Sequence, residues 1–300
     1  MDKLLFIGSV VADVVVRLPE LPRTGDDVNI TSQQTALGGC AFNAFSAARL
    51  LGADCTLFAP VGSGVWGDWV RHALAARGVQ SAIPPVDRPN GCCYCLVEPD
   101  GERTFLCEHG AEYFFEPQWF DGLPQERYDG VYLCGLEVEE STGDVLLDYL
   151  ETHRPGRLCF APGPRICRIP PERMARLLAL SPLMHLNESE ALQFTCADTV
   201  EEAAWRIHGV TGGDVVITMG ADGAYVLHDG CAAMVPTEPV RVVDAIGAGD
   251  AHIGAVMAGL HSGLSLEEAA AQANRMSAAV VMTPGATLTA EQWKQYRERK

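Results

Sequence analysis

Long apolar runs, repeats and low-complexity tracts are all missing from this 300-residue sequence. No stretch reaches the about 18 consecutive apolar residues of a membrane-spanning helix, so we expect no membrane partner. The apolar segment near the N-terminus is interrupted by Gly8 and Asp13 and has no small-residue cleavage site. It therefore predicts a buried strand rather than a signal peptide, and a cytoplasmic protein.

Positive charge is also scarce, with 22 Lys and Arg residues against 39 Asp and Glu residues and a net charge of −17. A negative field repels nucleic-acid phosphates and anionic lipid, so we expect no nucleic-acid partner and no membrane-surface partner. An anionic small molecule stays compatible with this charge if backbone amides hold it or a metal ion accompanies it.

The 11 cysteines lack the spacing of a metal site. Their number is odd, and the cluster Cys92, Cys93 and Cys95 has no second pair of the kind that a zinc site needs. We interpret them as reduced, partly buried thiols of a cytosolic protein.

The elements that are present alternate, with short β-rich runs each followed by a helical pattern. This order predicts one α/β domain over residues 1–300, with helices on both faces of a mainly parallel sheet. Residues 14–35 and 91–112 break the alternation, because they are strand-like and contain turn residues but no helix. The second has a hairpin signal at Glu98–Gly101. We expect these two segments to form a small β-sheet lid.

The strongest local signal is the segment DAIGAGD at 244–250, which is followed by an apolar helical run. Glycines before a helix leave backbone N–H groups pointing outward, and with the helix dipole these groups form an anion site. Asp250 would face the same anion, which suits a base that accepts a proton from an attacking hydroxyl. The alternative is a glycine-rich turn whose acidic residue only satisfies amides, and spacing alone does not decide between the two.

A second glycine pair precedes another helix. Gly38 and Gly39 allow the backbone to approach a ligand closely. Asn43, one turn later on the same helix face, offers both a donor and an acceptor. Glycine pairs before helices are common, so this signal is weak by itself.

Two further segments each have two interpretations. Asn187 and Glu190 lie on one face of a starting helix, which suits a hydrated Mg²⁺ ion held through water, or a helix cap. Thr218, Gly220 and Gly223 follow one another at a strand end, where they fit a nucleotide cradle or a hairpin turn.

The segment Gly62–Gly67 matches G-x-G-x-x-G, follows a predicted strand and has Asp87 twenty residues after its last glycine. On paper this satisfies the dinucleotide fingerprint of an NAD(P)-dependent oxidoreductase. Trp66 is bulky for a pyrophosphate turn, and the residues before Asp87 are rich in proline. The pattern also leaves Asp250 unexplained, so we regard this as the less favoured enzyme class.

Taken together and in this order, these segments resemble the ribokinase-like carbohydrate kinases, the PfkB family. GGCAFN at 38–43 and DAIGAGD match the two family signatures, and NESE at 187–190 and TMGADG at 218–223 fall where the family has its magnesium and nucleotide motifs. The resemblance implies a ribokinase-like three-layer α/β fold with a small β-sheet lid. It also implies ATP and Mg²⁺ as cofactors, and phosphotransfer to a hydroxymethyl or other hydroxyl group of a sugar or sugar-like molecule.

The resemblance further implies roles for individual residues. Asp250 is expected to be the general base, and the amides of Gly247, Ala248 and Gly249 the anion hole. Substrate contacts are expected at Asp13, Gly38, Gly39, Asn43, Glu137 and Asp250. Nucleotide contacts are expected at Asn187, Thr218, Gly220, Gly223, Gly247, Gly249 and Asn274. Mg²⁺ is expected to be held through water by Asn187 and Glu190, and a potassium ion is expected near Asp244.

Some positions depart from the family pattern. Val11 replaces an amide side chain that would bind a ribose hydroxyl, and with Phe42 it favours an acceptor less polar than ribose. A nucleoside kinase of the same family is therefore the alternative to a sugar kinase. A catalytically inactive sugar-binding sensor is the non-enzymatic alternative, which the presence of Asp250 and its glycines disfavours. We expect three apolar positions of the lid to face outward: Cys93, Cys95 and Val97. Such an apolar surface predicts a homodimer through the lid.

Overall fold

The computed structural model describes residues 3–123 and 128–299. Residues 1, 2, 124–127 and 300, which the predicted domain includes, lie outside this part. The strands are β1 Leu4–Ile7, β2 Val11–Arg17, β3 Ser32–Gly38, β4 Cys55–Phe58, β5 Cys92–Val97, β6 Arg103–Glu108, β7 Gly130–Cys134, β8 Arg157–Ala161, β9 Leu183–Asn187, β10 Val215–Thr218, β11 Ala224–His228 and β12 Cys231–Val235. The helices are α1 Cys40–Leu50, α2 Gly64–Ala76, α3 Gly135–Glu139, α4 Gly143–Thr152, α5 Pro171–Leu178, α6 Glu188–Thr195, α7 Val200–Thr211, α8 Ala248–His261, α9 Leu266–Val281 and α10 Ala290–Glu298.

The central sheet has eight strands in the order β12-β11-β10-β9-β8-β7-β1-β4. The six strands from β10 to β4 are parallel, whereas β11 and β12 extend one edge in antiparallel fashion. This arrangement confirms the predicted mainly parallel α/β sheet. The carboxyl ends of its parallel strands share one edge, which is where open α/β sheets bind ligands.

Strand β1 shows why helices cover both faces of this sheet. Its side chains alternate, with Leu4 and Phe6 in one hydrophobic cluster and Leu5 and Ile7 in another. All four are at most 2% exposed. The first cluster includes residues of α1, α8 and α9, and the second residues of α4, α5 and α7. A strand buried on both faces is apolar throughout, as this one is.

The second sheet is small, with the strand order β3-β2-β5-β6. Strand β2 is antiparallel to β3 and parallel to β5, and the hairpin predicted at Glu98–Gly101 joins β5 to β6. Its strands begin at Val11 and include Gly38, so the sheet extends beyond the predicted segment 14–35. That the small sheet is the lid of a single domain stays a prediction.

The two faces of the small sheet differ in their surroundings. Strand register places Asp13, Cys93 and Cys107 side by side on one face. We call it the inner face, because Asp13 on it interacts electrostatically with Asp250 of α8. Side chains alternate along a strand, so Cys95 and Val97 share this face. Cys95 and Val97 are only 1% and 5% exposed. The prediction that Cys95 and Val97 face outward is therefore wrong, whereas the homodimer through the lid stays a prediction.

Among residues 3–123 and 128–299, no helix combines the length and the hydropathy that crossing a bilayer requires. The cytoplasmic location stays a prediction.

Candidate active site

Helix α8 begins beside the small sheet and carries Asp250 in its first turn. Gly247 precedes the helix with φ +72°, and a Cβ there would lie 2.6 Å from both the Cβ and the carbonyl oxygen of Ala286. Only glycine fits this position. Because glycine has no side chain to cap the helix, the N–H groups of Gly249 and Asp250 are available to an anion, whereas that of Ala248 donates to the Ala245 carbonyl oxygen over 3.4 Å.

The Asp250 carboxylate is held from helix α1. Asn43 Nδ2 donates to Asp250 Oδ2 over 3.0 Å, although the two residues lie 207 positions apart. Burial raises the pKa of Asp250 to about 6, while hydrogen bonds from Asn43 and the Cys40 thiol act in the opposite direction. Sequence reasoning missed Cys40, although its place one turn before Asn43 on α1 was a usable signal. A carboxylate with this pKa is ionised at neutral pH and still basic enough to accept a proton.

Asp13 approaches the same site from β2. A Cβ on Gly38 would lie 1.8 Å from Asp13 Oδ2, so glycine at this position makes room for the carboxylate. Burial, followed by the negative charges of Cys107 and Asp250, raises the pKa of Asp13 to about 7. Gly39 follows directly and precedes α1. The structure thus brings together the predicted substrate residues Asp13, Gly38, Gly39, Asn43 and Asp250.

Glu137 lies on α3 and is fully buried. Its Oε1 accepts a hydrogen bond from the Ser9 backbone N–H over 2.8 Å. Among the described residues its Oε2 has no partner, and burial raises the pKa of Glu137 to about 7. Its predicted substrate contact stays a prediction.

Phe42, which the sequence suggested as part of the acceptor site, packs elsewhere. It is 1% exposed and belongs to the hydrophobic cluster between α1 and the central sheet. Its ring therefore contributes to the packing of α1 against the sheet. Val11 is likewise buried, at 3% exposed, so the inference of a less polar acceptor stays a prediction.

A cavity of about 340 Å³ opens on the other side of the α8 N-terminus. Five of the predicted nucleotide residues line it: Thr218, Gly220, Gly223, Gly249 and Asn274. Ala248 of the predicted anion hole lines it too. Gly247 and Asn187 are not among its lining residues. This volume lies within the usual range for small-ligand sites.

A buried hydrogen-bonded chain that sequence reasoning missed supports this cavity. His185 of β9 contacts His252 of α8 at 2.9 Å, and His252 contacts the Asn274 side-chain oxygen at 3.1 Å. Asn274 donates to the carbonyl oxygens of Val235 and Pro236. Burial lowers the pKa of both histidines, so they are neutral at pH 7. Both the oxygen and the nitrogen of the Asn274 amide thus make hydrogen bonds that hold the cavity wall in place.

Asn187 and Glu190 form a capping box on α6. The Asn187 side chain accepts from the Glu190 backbone N–H, and the Glu190 side chain accepts from that of Asn187. The capping interpretation is therefore observed. Burial, then the negative charge of Asp250, raises the pKa of Glu190, so the two carboxyl groups lie near enough to interact. A pair of carboxylates with an amide oxygen matches the ligands that Mg²⁺ prefers, directly or through water.

The Asp244 carboxylate pairs with Arg103 of the small sheet, an interaction that sequence reasoning did not find. Its Oδ1 also accepts from the Ile246 backbone N–H, and its Oδ2 from that of Gly285. The Arg103 guanidinium thus neutralises this carboxylate. A potassium ion near Asp244 stays a prediction.

The dinucleotide fingerprint lacks its structural context. Gly62 and Gly67 flank the start of α2, but Asp87 lies in an exposed bend rather than at the end of a strand. In a dinucleotide fold the acidic residue follows the second strand and contacts the ribose. The arrangement does not support an NAD(P) site.

Comparison with known proteins gives a consistent result. The profile described as pfkB family carbohydrate kinase matches residues 1–293. The chain is 33% identical over 284 residues to YegV, an uncharacterized sugar kinase of Escherichia coli strain K12, and this match covers 93% of this chain and 88% of that protein. It is 28% identical over 290 residues to the ribokinase of Bacillus subtilis, covering 95% of each.

Two solved structures show the same fold. Ribokinase from Giardia lamblia superposes with a TM-score of 0.85 at 19% identity, covering 100% of both chains. Adenosine kinase from Sinorhizobium meliloti superposes with a TM-score of 0.83 at 20% identity, covering 100% of this chain and 99% of that one. These superpositions confirm the predicted three-layer architecture with a small second sheet.

Proposed function

We propose, from the premise that this chain belongs to the pfkB family of carbohydrate kinases, that Asp250 is the general base of its phosphotransfer reaction. The family establishes an ATP-dependent kinase that acts on a sugar or nucleoside. Phosphotransfer to a sugar hydroxyl is the function that the site supports best.

The observation that carries the base assignment is the place of the Asp250 carboxylate. It lies in the first turn of α8, beside uncapped N–H groups, and Asn43 Nδ2 orients it from 3.0 Å. The carboxylate accepts the proton of the attacking hydroxyl, while the N–H groups of Gly247, Ala248 and Gly249 stabilise the oxygens of the phosphoryl group in transfer. Positive potential thus comes from the backbone, which suits a chain of net charge −17.

ATP is proposed to occupy the cavity that ends at Gly249. Thr218, Gly220 and Gly223 line that cavity. Because glycines have no side chain, a nucleotide can lie close to the backbone there. Asn274 holds the cavity wall through Val235 and Pro236 rather than pointing a free amide at the base. The triphosphate end would then meet the first turn of α8 next to Asp250.

Mg²⁺ is proposed to be held by Asn187 and Glu190 through water, close to Asp250. The charges of Glu190 and Asp250 repel each other, and a divalent cation held nearby would offset that repulsion. When bound, the ion neutralises charge on the phosphate oxygens. Potassium activation through Asp244 stays a prediction, which ADP release in potassium and in sodium buffers tests directly.

The acceptor is proposed to be a sugar rather than a nucleoside. Glu137 Oε2 and Asn43 Oδ1 are buried and have no hydrogen-bond partner among the described residues. With the Asp13 carboxylate they provide several oxygen acceptors, and unpartnered buried oxygens are costly unless a ligand satisfies them. The hydroxyl groups of a sugar are the donors that such a set binds.

A panel of sugars and nucleosides, assayed for ADP release with ATP and Mg²⁺, tests this proposal. We expect turnover with one or more sugars and little with nucleosides. Higher kcat/KM for a nucleoside would favour the nucleoside kinase. Sugar binding by calorimetry without ADP release from any acceptor would instead favour the inactive sensor.

A homodimer through the small sheet stays a prediction, with a different surface from the one first expected. Tyr94 and Leu106 lie opposite each other on the other face of the small sheet, away from Cys93 and Cys107, and are 39% and 56% exposed. Light scattering at working concentration tests it, and a monomer would contradict it. Leu106→Ser is the variant expected to weaken the dimer.

A further inference from the structure

Two cysteines face each other on the small sheet. Cys93 of β5 lies directly opposite Cys107 of β6 in the antiparallel register, and their Sγ atoms are 3.1 Å apart. Opposite residues of antiparallel strands have Cα atoms about 4.5–5.5 Å apart, which falls inside the Cα range of disulfides. A bond between these sulfurs therefore requires little backbone movement.

The two thiols differ in exposure and in pKa, as a reactive thiolate and its partner thiol do. Cys107 is exposed and Cys93 is partly exposed. A hydrogen bond from Cys93, followed by the influence of the nearby His109 and Arg165 side chains, lowers the pKa of Cys107 to about 6. The same hydrogen bond raises the pKa of Cys93, which keeps its proton. Cys107 is thus a thiolate at neutral pH, and the thiolate is the form that attacks oxidants.

The pair also lies beside the proposed acceptor site. Register places Asp13, Cys93 and Cys107 in one row across β2, β5 and β6, on the inner face. The charge of Cys107 contributes to the raised pKa of Asp13, so the two side chains interact electrostatically. A chemical change at the sulfurs therefore alters the surroundings of Asp13.

We infer that Cys93 and Cys107 form a reversible modification site, at which a peroxide produces a disulfide that weakens acceptor binding. The Cys107 thiolate attacks one oxygen of hydrogen peroxide, the O–O bond breaks, and hydroxide leaves and takes a proton from solvent to become water. Cys107 is then a sulfenic acid. The Cys93 thiol attacks that sulfur, the S–S bond forms, and a second water leaves. The sulfurs lose two electrons, which reduce the peroxide to two waters, and dithiothreitol reverses the change by exchange.

The disulfide removes a thiol donor and an anionic acceptor from the row that contains Asp13. Loss of one hydrogen bond to the acceptor corresponds to an increase of about fivefold in its KM. The nucleotide cavity lies on the other side of α8, so the KM for ATP is expected to change less than about twofold. The effect on the acceptor rests on the proposed function, whereas formation of the disulfide does not.

The chemical step is tested on the full-length protein by brief treatment with hydrogen peroxide, alkylation of free thiols and tryptic mapping. Cleavage after Arg103 separates Cys93 from Cys107, so only a disulfide keeps the two peptides together. We expect a 93–107 crosslink that dithiothreitol removes. It should be absent from Cys93→Ser and Cys107→Ser and present in Cys95→Ala, whose opposite residue is Phe105. Absence of the crosslink from the wild-type protein, or equal crosslinking of other cysteine pairs, would overturn the modification site.

Kinetics on the same oxidised sample test the consequence. We expect the acceptor KM to rise about fivefold, to return with dithiothreitol, and to stay constant after peroxide treatment of Cys107→Ser. A wild-type protein that carries the crosslink but keeps its acceptor KM would refute the effect on binding. Failure of the proposed function would be distinguishable, because the chain would then form the crosslink without phosphorylating any acceptor.

Discussion

The Arg103 guanidinium of β6 donates to the Asp244 carboxylate before α8, with Nη2 and Oδ1 2.7 Å apart. Both side chains are largely buried, at 21% and 15% exposed. Asp244 also accepts from the backbone N–H of Ile246, in the loop that leads to Asp250, and from that of Gly285, in the segment after α9. One ion pair therefore joins the small sheet to the segment that positions the proposed base.

Replacement of Arg103 by glutamine leaves the Asp244 carboxylate without its cation. We expect the acceptor KM to rise about tenfold, equivalent to about 1.4 kcal/mol, because breaking a partly buried pair costs less than the 3–5 kcal/mol of a fully buried one. Steady-state kinetics with the acceptor varied at saturating ATP measure this. Arg17→Gln removes an exposed arginine from the same sheet and is the control. Unchanged kinetics in Arg103→Gln would show that the pair does not position the site.

Replacement of Asp250 by asparagine keeps the shape of the side chain and removes its basicity. We expect kcat to fall by at least about a hundredfold, the lower limit for loss of a general base, while the KM for ATP changes little. ADP release under saturating conditions measures this, with the exposed Asp198→Asn as control. If the variant keeps more than about a tenth of wild-type turnover, the loss is far below that limit, and Asp250 is not the general base.

The pH dependence of the reaction reports on the contact between Asn43 and Asp250. The Asn43 amide favours the ionised carboxylate, so Asn43→Ala should raise the pKa of Asp250 above its value of about 6. The base is then protonated at higher pH, and the acid limb of kcat/KM should move upward by about one pH unit. Profiles from pH 5 to 8 measure the shift. A limb that stays in place would mean that another group controls it.

Stability should depend on pH through the buried carboxyl of Glu137. Its pKa is about 7 in the folded chain against 4.5 ordinarily, so the folded state binds more protons than the unfolded state between these values. The free energy of unfolding therefore falls as pH rises through this window. Glu137→Gln, which stays neutral, should reduce that slope by up to about 1.4 kcal/mol per pH unit.

Urea unfolding at several pH values between 4.5 and 8 measures this slope. The exposed Glu172→Gln is the matched control and should leave the slope unchanged. An unchanged slope in Glu137→Gln would contradict the assignment of the raised pKa.

Local patterns predicted the glycine-rich start of α8 correctly because its cause is local. Gly247 needs a positive φ at the helix start, and Asp250 follows at a set distance along the same turn. The capping box of Asn187 and Glu190 was likewise one of two interpretations of a local spacing. The packing of Phe42 in the core could not be predicted, because only the neighbouring strands define which face of α1 meets the core.

The amino-acid order by itself determined the alternation of strands and helices, the family signatures and the chemistry available at Asp250, since backbone preferences and side-chain types act over a few residues. Only the tertiary structure decided which distant groups meet. Arg103 reaches Asp244 across 141 positions, and Asn43 reaches Asp250 across 207. Cys93 meets Cys107 because the register of β5 and β6 sets them opposite, and a shift of one residue would have turned one sulfur to the other face.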